Sequence, residues 1–164
     1  AGERRCAGGA RRAGCGVNAS SPAIRIARAG VDDASALLPL IAAYWAFEDI
    51  AFSAERVAPP LRRLLADPKL GAAWIACDGD APVGYLIAMY VFSLEYLGMV
   101  AEIDELYVSD RSRGGGIGGL LLAAAEAEFV AAGCGAVSLQ LARDNDAARG
   151  FYRRAGYGER SRYE

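Results

Sequence analysis

The chain has 164 residues, 54% of them apolar, and sets 18 Lys and Arg against 20 Asp and Glu with no histidine at all. That suits one globular domain with a sizeable core; no run of ~18 apolar residues offers a membrane span, and the missing histidine excludes a Ser-His-Asp triad, a Cys-His pair and every histidine metal site. Residues 1–28 hold six arginines and one acid, a net of +5, while residues 29–164 hold 12 bases and 19 acids, a net of −7, so the body of the chain disfavours nucleic acid and favours a cationic substrate.

Residues 1–22 (AGERRCAGGARRAGCGVNASSP) are rich in Gly, Ala and Arg and have no hydrophobic period. They read as a disordered leader ahead of one domain at 23–164. They lack the apolar core of a secretory signal; an organellar transit peptide or a non-native extension are the other readings. Residues 24–28 form a short strand. Asp32 or Asp33 caps a helix running to about Phe47, with Leu37, Leu40, Ile41 and Tyr44 on one face. Residues 48–58 form a loop or broken helix, and Pro59-Pro60 open a short helix ending near Asp67-Pro68. Strands follow at 72–77 and 83–92 around the turn DGDAP, then a loop at 93–99 and an acidic strand at 100–108. A helix at 116–132, a strand at 136–142, a helix at 146–155 and a last strand at 157–163 complete a three-layer α/β (α+β) order with a mixed sheet. Leu121, Leu122, Ala125 and Phe129 are core positions of the third helix. Cys6, Cys15, Cys77 and Cys134 lack CxxC spacing, so no zinc site is expected. Cys77 and Cys134 sit in apolar stretches as small hydrophobes, and this usage fits a reducing, cytoplasmic compartment.

The chemistry concentrates in Glu102 to Leu122, EIDELYVSDRSRGGGIGGLLL. Glycines 114, 115, 116, 118 and 119 let the backbone approach a ligand closely. The helix behind them offers free N–H groups and a partial positive charge, and Arg111 and Arg113 add charges that grip phosphate oxygens. The segment therefore suits a pyrophosphate. A P-loop needs a lysine after its last glycine, and none is present. The dinucleotide form GxGxxG can be matched by Gly114, Gly116 and Gly119, but it sits mid-chain and lacks an acid at the end of the next strand, Leu141-Ala142.

On these residues the chain resembles the GNAT N-acetyltransferase superfamily. Arg113-Gly114-Gly115-Gly116-Ile117-Gly118 is similar to the family's acetyl-coenzyme A motif, Gln/Arg-x-x-Gly-x-Gly/Ala, and Glu105-Leu106-Tyr107-Val108 to the strand that leads into it. Asn145-Asp146-Ala147-Ala148-Arg149-Gly150-Phe151-Tyr152-Arg153-Arg154-Ala155-Gly156-Tyr157 resembles the family's Asn-x-x-Ala-x-x-Phe-Tyr-x-x-x-Gly-Phe segment. The resemblance implies a mixed sheet of about six to seven strands with about four helices, splayed between the fourth and fifth strands. The pantetheine arm of acetyl-CoA would lie in that gap like an added strand, bonded to the backbone of Leu106, Tyr107 and Val108. Arg113 and the amides of Gly114, Gly115, Gly116, Ile117, Gly118 and Gly119 would cradle the pyrophosphate. Asn145 would bond the pantetheine, and Tyr152 would stand near the thioester sulfur.

Acetyl transfer to an amine constrains the residue types. Alkylamines with pKa ~10.4 are protonated at neutral pH, so a carboxylate, or water led by one, must take a proton. The departing thiolate, pKa ~8.5, takes a proton from a tyrosine such as Tyr152, and a backbone N–H near Tyr107 would hold the oxyanion. Asp and Glu are depleted in strands, so Glu102, Asp104 and Glu105 together are unexpected there. Strict alternation puts Glu102 and Asp104 on one face with Leu106 and Val108, and Glu105 on the other with Ile103 and Tyr107. Some family members use a glutamate at the position matched by Glu102, and polyamine-acetylating ones at that matched by Asp104; these two rank together, with Glu105 third. A solvated strand end that only attracts a cation is the alternative. Arg149 and Arg153 are candidates for coenzyme A phosphates or a solvated helix face. Tyr44, Trp45 and Phe47 with Glu48 and Asp49, and also Tyr90, Glu95 and Tyr96, are candidates for the acceptor pocket.

The expectation is an enzyme that moves the acetyl group of acetyl-CoA to a primary amine, on a small molecule or a protein, by direct attack in a ternary complex. It uses no metal and binds neither nucleic acid nor membrane; folds of this kind often pair as homodimers. A non-catalytic acyl-CoA-binding regulatory module is the alternative, with a nucleotide-binding regulator third.

Overall fold

The computed structural model describes residues 24–142 and 144–159, so the expected leader at 1–22 lies outside the described residues. In chain order come β1 (Ile24–Arg28), α1 (Ala34–Phe47), α2 (Ala54–Ala66), β2 (Gly71–Asp78), β3 (Ala81–Ser93), β4 (Gly98–Val108), α3 (Ile117–Ala131), β5 (Ala136–Leu139) and α4 (Asp146–Arg154). The strands form one sheet in the order β1-β2-β3-β4-β5. Short connections make β2, β3 and β4 antiparallel, and β1 pairs antiparallel to β2 across the excursion through α1 and α2. The α3 crossover brings β5 in parallel to β4. This is the expected mixed α/β architecture, with five strands among the described residues rather than six or seven. Residues 157–159, where the last strand was expected to start, have no regular structure, and the rest of it lies outside the described residues.

Each face of the sheet carries its own core. On one face Trp74, Leu86 and Ala101 pack under Leu121 and Phe129 of α3, with the Trp74 and Phe129 rings edge to face at 5.5 Å. On the other, Leu37 and Ile41 of α1 and Leu61 and Leu64 of α2 cover Ile75, Tyr85 and Ile87. Burying side chains of this size contributes roughly 1.5–3 kcal/mol each. α3 is helical because Ile117, Leu121, Leu122, Ala125 and Phe129 form one buried stripe. It stops at Gly133, whose φ of +77° is open to glycine. There the Cys134 N–H donates to the Phe129 carbonyl at 2.9 Å and the Gly133 N–H to that of Val130 at 3.0 Å, a Schellman stop.

Two sequence expectations need correction. Pro59 and Pro60 do not open the second helix; they lie inside it, five residues after it begins. The stripe Val57, Leu61, Leu64 packs against the sheet and outweighs the backbone bonds the prolines forfeit. Nor does β4 alternate strictly. Ile87 pairs with Glu105 and Ala88 with Ile103, so Asp104 is an unmatched extra residue, a β-bulge. Ile103 consequently shares the α3 face with Leu106 and Val108, while Tyr107 belongs to the α1/α2 face.

Among the described residues no helix is long and apolar enough to cross a membrane. Cys77 is a buried free thiol and Cys134 a half-buried one.

Candidate active site

β5 follows β4 from Val100↔Ala136 to Ile103↔Leu139 and then ends, leaving residues 104–108 of β4 without a strand neighbour on that side among the described residues. The bulge at Asp104 and the loss of pairing therefore coincide. A cavity of about 490 Å³ opens in the gap, between the end of β4, the start of α3 and the inner face of α4. It is bordered by Leu106, Tyr107, Val108, Arg113, Gly114, Gly116, Ile117, Gly118, Gly119 and Asn145, and by Asp104 and Tyr152; Gly115 and Glu102 do not reach it.

The glycine loop meets the cavity at the head of α3. Gly116 is the N-cap of that helix at φ +78°, and Gly114 takes φ +83°. A Cβ on either would meet nothing within 4 Å, so backbone conformation, not crowding, calls for glycine here. Among the described residues no side chain caps α3, which leaves the N–H groups of its first turn available to an anion. Arg113 borders the cavity but is held along its β4 wall. Its Nε donates to the Val108 carbonyl at 2.9 Å, its Nη1 pairs with Asp110 at 2.9 Å, and its guanidinium lies 5.8 Å from the Phe47 ring and 5.7 Å from that of Tyr107. Gripping a phosphate requires the side chain to leave these partners, and an exposed ion pair of this kind resists by less than about 1 kcal/mol.

The three acids separate into three environments. Glu105 is half-buried, accepting from Trp45 Nε1 at 2.7 Å and from the Tyr85 hydroxyl at 2.5 Å. Burial raises its pKa, those two hydrogen bonds oppose the rise, and Asp104 adds to it. Glu102 lies one pair before the splay, opposite Met89 and Ser138, and accepts from Gln140 Nε2 at 3.4 Å. Asp104 stands between two cavities: the one in the strand gap and a second of about 510 Å³ beneath α1 and α2. Surrounding protein raises the Asp104 pKa first, and the charge of Glu102 raises it further.

Tyr152 projects into the first cavity and is only 7% exposed. Phe151 and Tyr157 pack against its ring at 5.0 and 5.4 Å. Burial, then Tyr44, holds its hydroxyl well above the usual tyrosine range. Tyr44 itself is pushed up to about 12 by burial and by Glu48, Glu105 and Asp104. Both hydroxyls thus keep their protons at neutral pH.

Asn145 serves α4 as well as the cavity. Its Oδ1 accepts from the Ala148 N–H at 3.0 Å, an N-cap that leaves its amide NH₂ as the free donor. Asn145→Ala is expected to lower stability by about 1 kcal/mol, read from urea unfolding; an unchanged midpoint would remove the cap as a source of stability. Of the wider candidates, Tyr44, Phe47 and Glu48 border the first cavity and Trp45 the second, whereas Asp49 borders neither. Tyr90 packs on Phe129, on the opposite face of the sheet. Arg149 pairs with Asp146 and Glu159. Arg154, not Arg153, borders the cavity. Tyr85 was not among the sequence candidates, because its tie to Glu105 spans 20 residues and carries no local signal.

A glycine-loop helix start facing a splayed parallel pair is the arrangement expected from the motifs, and the chain matches the acetyltransferase (GNAT) family over residues 38–157. The chain belongs to this family. Members typically use acetyl-CoA. Solved structures repeat the GNAT fold. An integron cassette protein from the mobile metagenome of Cole Harbour Salt Marsh is 26% identical with a TM-score of 0.77, covering 85% of this chain and 86% of its own. A ribosomal-protein-alanine N-acetyltransferase from Brucella melitensis biovar Abortus 2308 is 22% identical with a TM-score of 0.69, covering 87% and 98%. An aminoglycoside acetyltransferase from an uncultured soil metagenomic sample, in complex with trehalose, is 21% identical with a TM-score of 0.73, covering 86% and 93%. A comparison with curated proteins returns no match.

Proposed function

We propose that this GNAT chain transfers the acetyl group of acetyl-CoA to a primary amine by direct attack in a ternary complex. The observation that carries the reading is the position of Asp104, a single carboxylate bordering both the strand gap and the pocket beneath α1 and α2. In this reading the pyrophosphate sits on the amides of Gly114 to Gly119, joined by Arg113 after it swings from Val108. The pantetheine arm extends the sheet along residues 106–108 and takes the Asn145 amide.

The amine enters from the second pocket. Asp104 removes its proton, directly or through water, and nitrogen attacks the thioester carbonyl. A backbone N–H of the unpaired strand near Tyr107 holds the oxyanion. As the tetrahedral adduct collapses, the C–N bond is kept and the C–S bond breaks. The departing thiolate takes the Tyr152 proton, and the second proton of the attacking nitrogen passes, directly or through water, to the Tyr152 oxygen, which restores the hydroxyl. Glu102, outside both cavities, acts on Asp104 through its charge.

Calorimetric titration with acetyl-CoA, paired with free-thiol detection over a panel of amines, tests this. One binding site and amine-dependent thiol release are expected. Binding with no release from any amine would make the chain an acyl-CoA-binding regulatory module instead, and no binding would overturn both readings.

A further inference from the structure

We propose that the acceptor is a small monoamine with an apolar body and one carboxylate, its anionic end held by Arg56. This rests on the acetyl-transfer reading and names the class of amine it acts on. Apart from Ser53, Arg56, Asp104 and Glu105, every residue bordering the second cavity is apolar, including Ile41, Val57, Leu61, Ile87 and Met89. Its volume of about 510 Å³ suits a small molecule. The polar groups divide between two elements. Ser53 and Arg56 begin α2, while Asp104 and Glu105 sit side by side on β4.

Both oxygens of Glu105 already accept hydrogen bonds, from Trp45 and Tyr85. Among the described residues Asp104 has neither a hydrogen bond nor an ion pair, so it is the acid left for an amine. Arg56 is the one cation bordering this cavity among the described residues and has no ion pair there either. Its planar fork suits a carboxylate. A polyamine or aminoglycoside would place further ammonium groups against apolar walls and a guanidinium, where an unpaired charge is costly. The local chemistry thus departs from the polycation that net acidity alone favours.

The test uses the full chain with saturating acetyl-CoA and free-thiol detection. The acceptors are leucine, 6-aminohexanoate, the neutral methylamide of each, hexylamine and spermidine. At least one of the two carboxylated acceptors is expected to exceed its own methylamide in kcat/KM by roughly tenfold or more. Arg56→Gln should shrink that ratio to within about threefold, through KM, and Arg56→Glu should shift preference toward spermidine. Arg56 is exposed, so these variants fold. The proposal falls if neither carboxylated acceptor beats its amide, if the ratio survives Arg56→Gln, or if spermidine is the best acceptor of the unaltered chain. In each of those cases acetyl transfer to an amine stands. If no amine on the panel is acetylated, the transfer reading and this one fall together.

Discussion

Asp104→Asn is expected to lower kcat by about a hundredfold or more, the range for loss of a general base, while acetyl-CoA affinity changes by less than about threefold. Asparagine keeps the shape of the bulge and removes only the capacity to take a proton. The pH profile gives the sharper reading. Surrounding protein and then the Glu102 charge raise the Asp104 pKa, so its carboxyl holds a proton further into the mildly acidic range than a free aspartate does. The base works deprotonated; turnover is therefore full above that raised pKa and lost as pH falls through it. Asp104→Asn should abolish this acid limb in kcat/KM. Glu102→Gln removes the neighbouring charge and should move the limb to lower pH without erasing it. Profiles of both variants that superimpose on the unaltered enzyme would leave water alone as proton acceptor.

The bulge explains why this site was only partly legible beforehand. Arg113 to Gly119 announced themselves, because a glycine run between a strand and an apolar helix has few other physical uses, and the structure sets that run at the head of α3. The acids did not sort themselves. Glu102, Asp104 and Glu105 are all polar, so no apolar anchor told which faced inward, and a bulge leaves no mark in residue type. Its position follows from the pairing of β4 with β3, 15 or more residues away in sequence. Glu105 looked like the weakest of the three. It is tied to Trp45, 60 residues earlier, and to Tyr85, and contacts of that range have no local signature. The start of α2 was hidden for a different reason. Pro59-Pro60 carries the strongest local signal in its stretch, yet a tertiary stripe of Val57, Leu61 and Leu64 decides where that helix lies.

Tyr152→Phe is expected to lower turnover by at least about tenfold with little loss of acetyl-CoA affinity. The variant keeps the ring, and with it the contacts to Phe151 and Tyr157 and its place in the core shared by α3 and the sheet. Only the hydroxyl goes. Burial keeps that hydroxyl protonated in the resting enzyme and makes it a weaker acid than a free tyrosine. It therefore steadies the departing thiolate by a hydrogen bond and gives up its proton only as the nitrogen's proton replaces it. A free coenzyme A thiol, pKa ~8.5, is a far better leaving group than an amine, so the reaction proceeds without Tyr152, but slowly. The deficit should therefore shrink for thioesters of more acidic thiols, which need less help to depart. An unchanged turnover, or an equal deficit for every leaving thiol, would strike Tyr152 from the role of acid and leave it as a wall of the cavity.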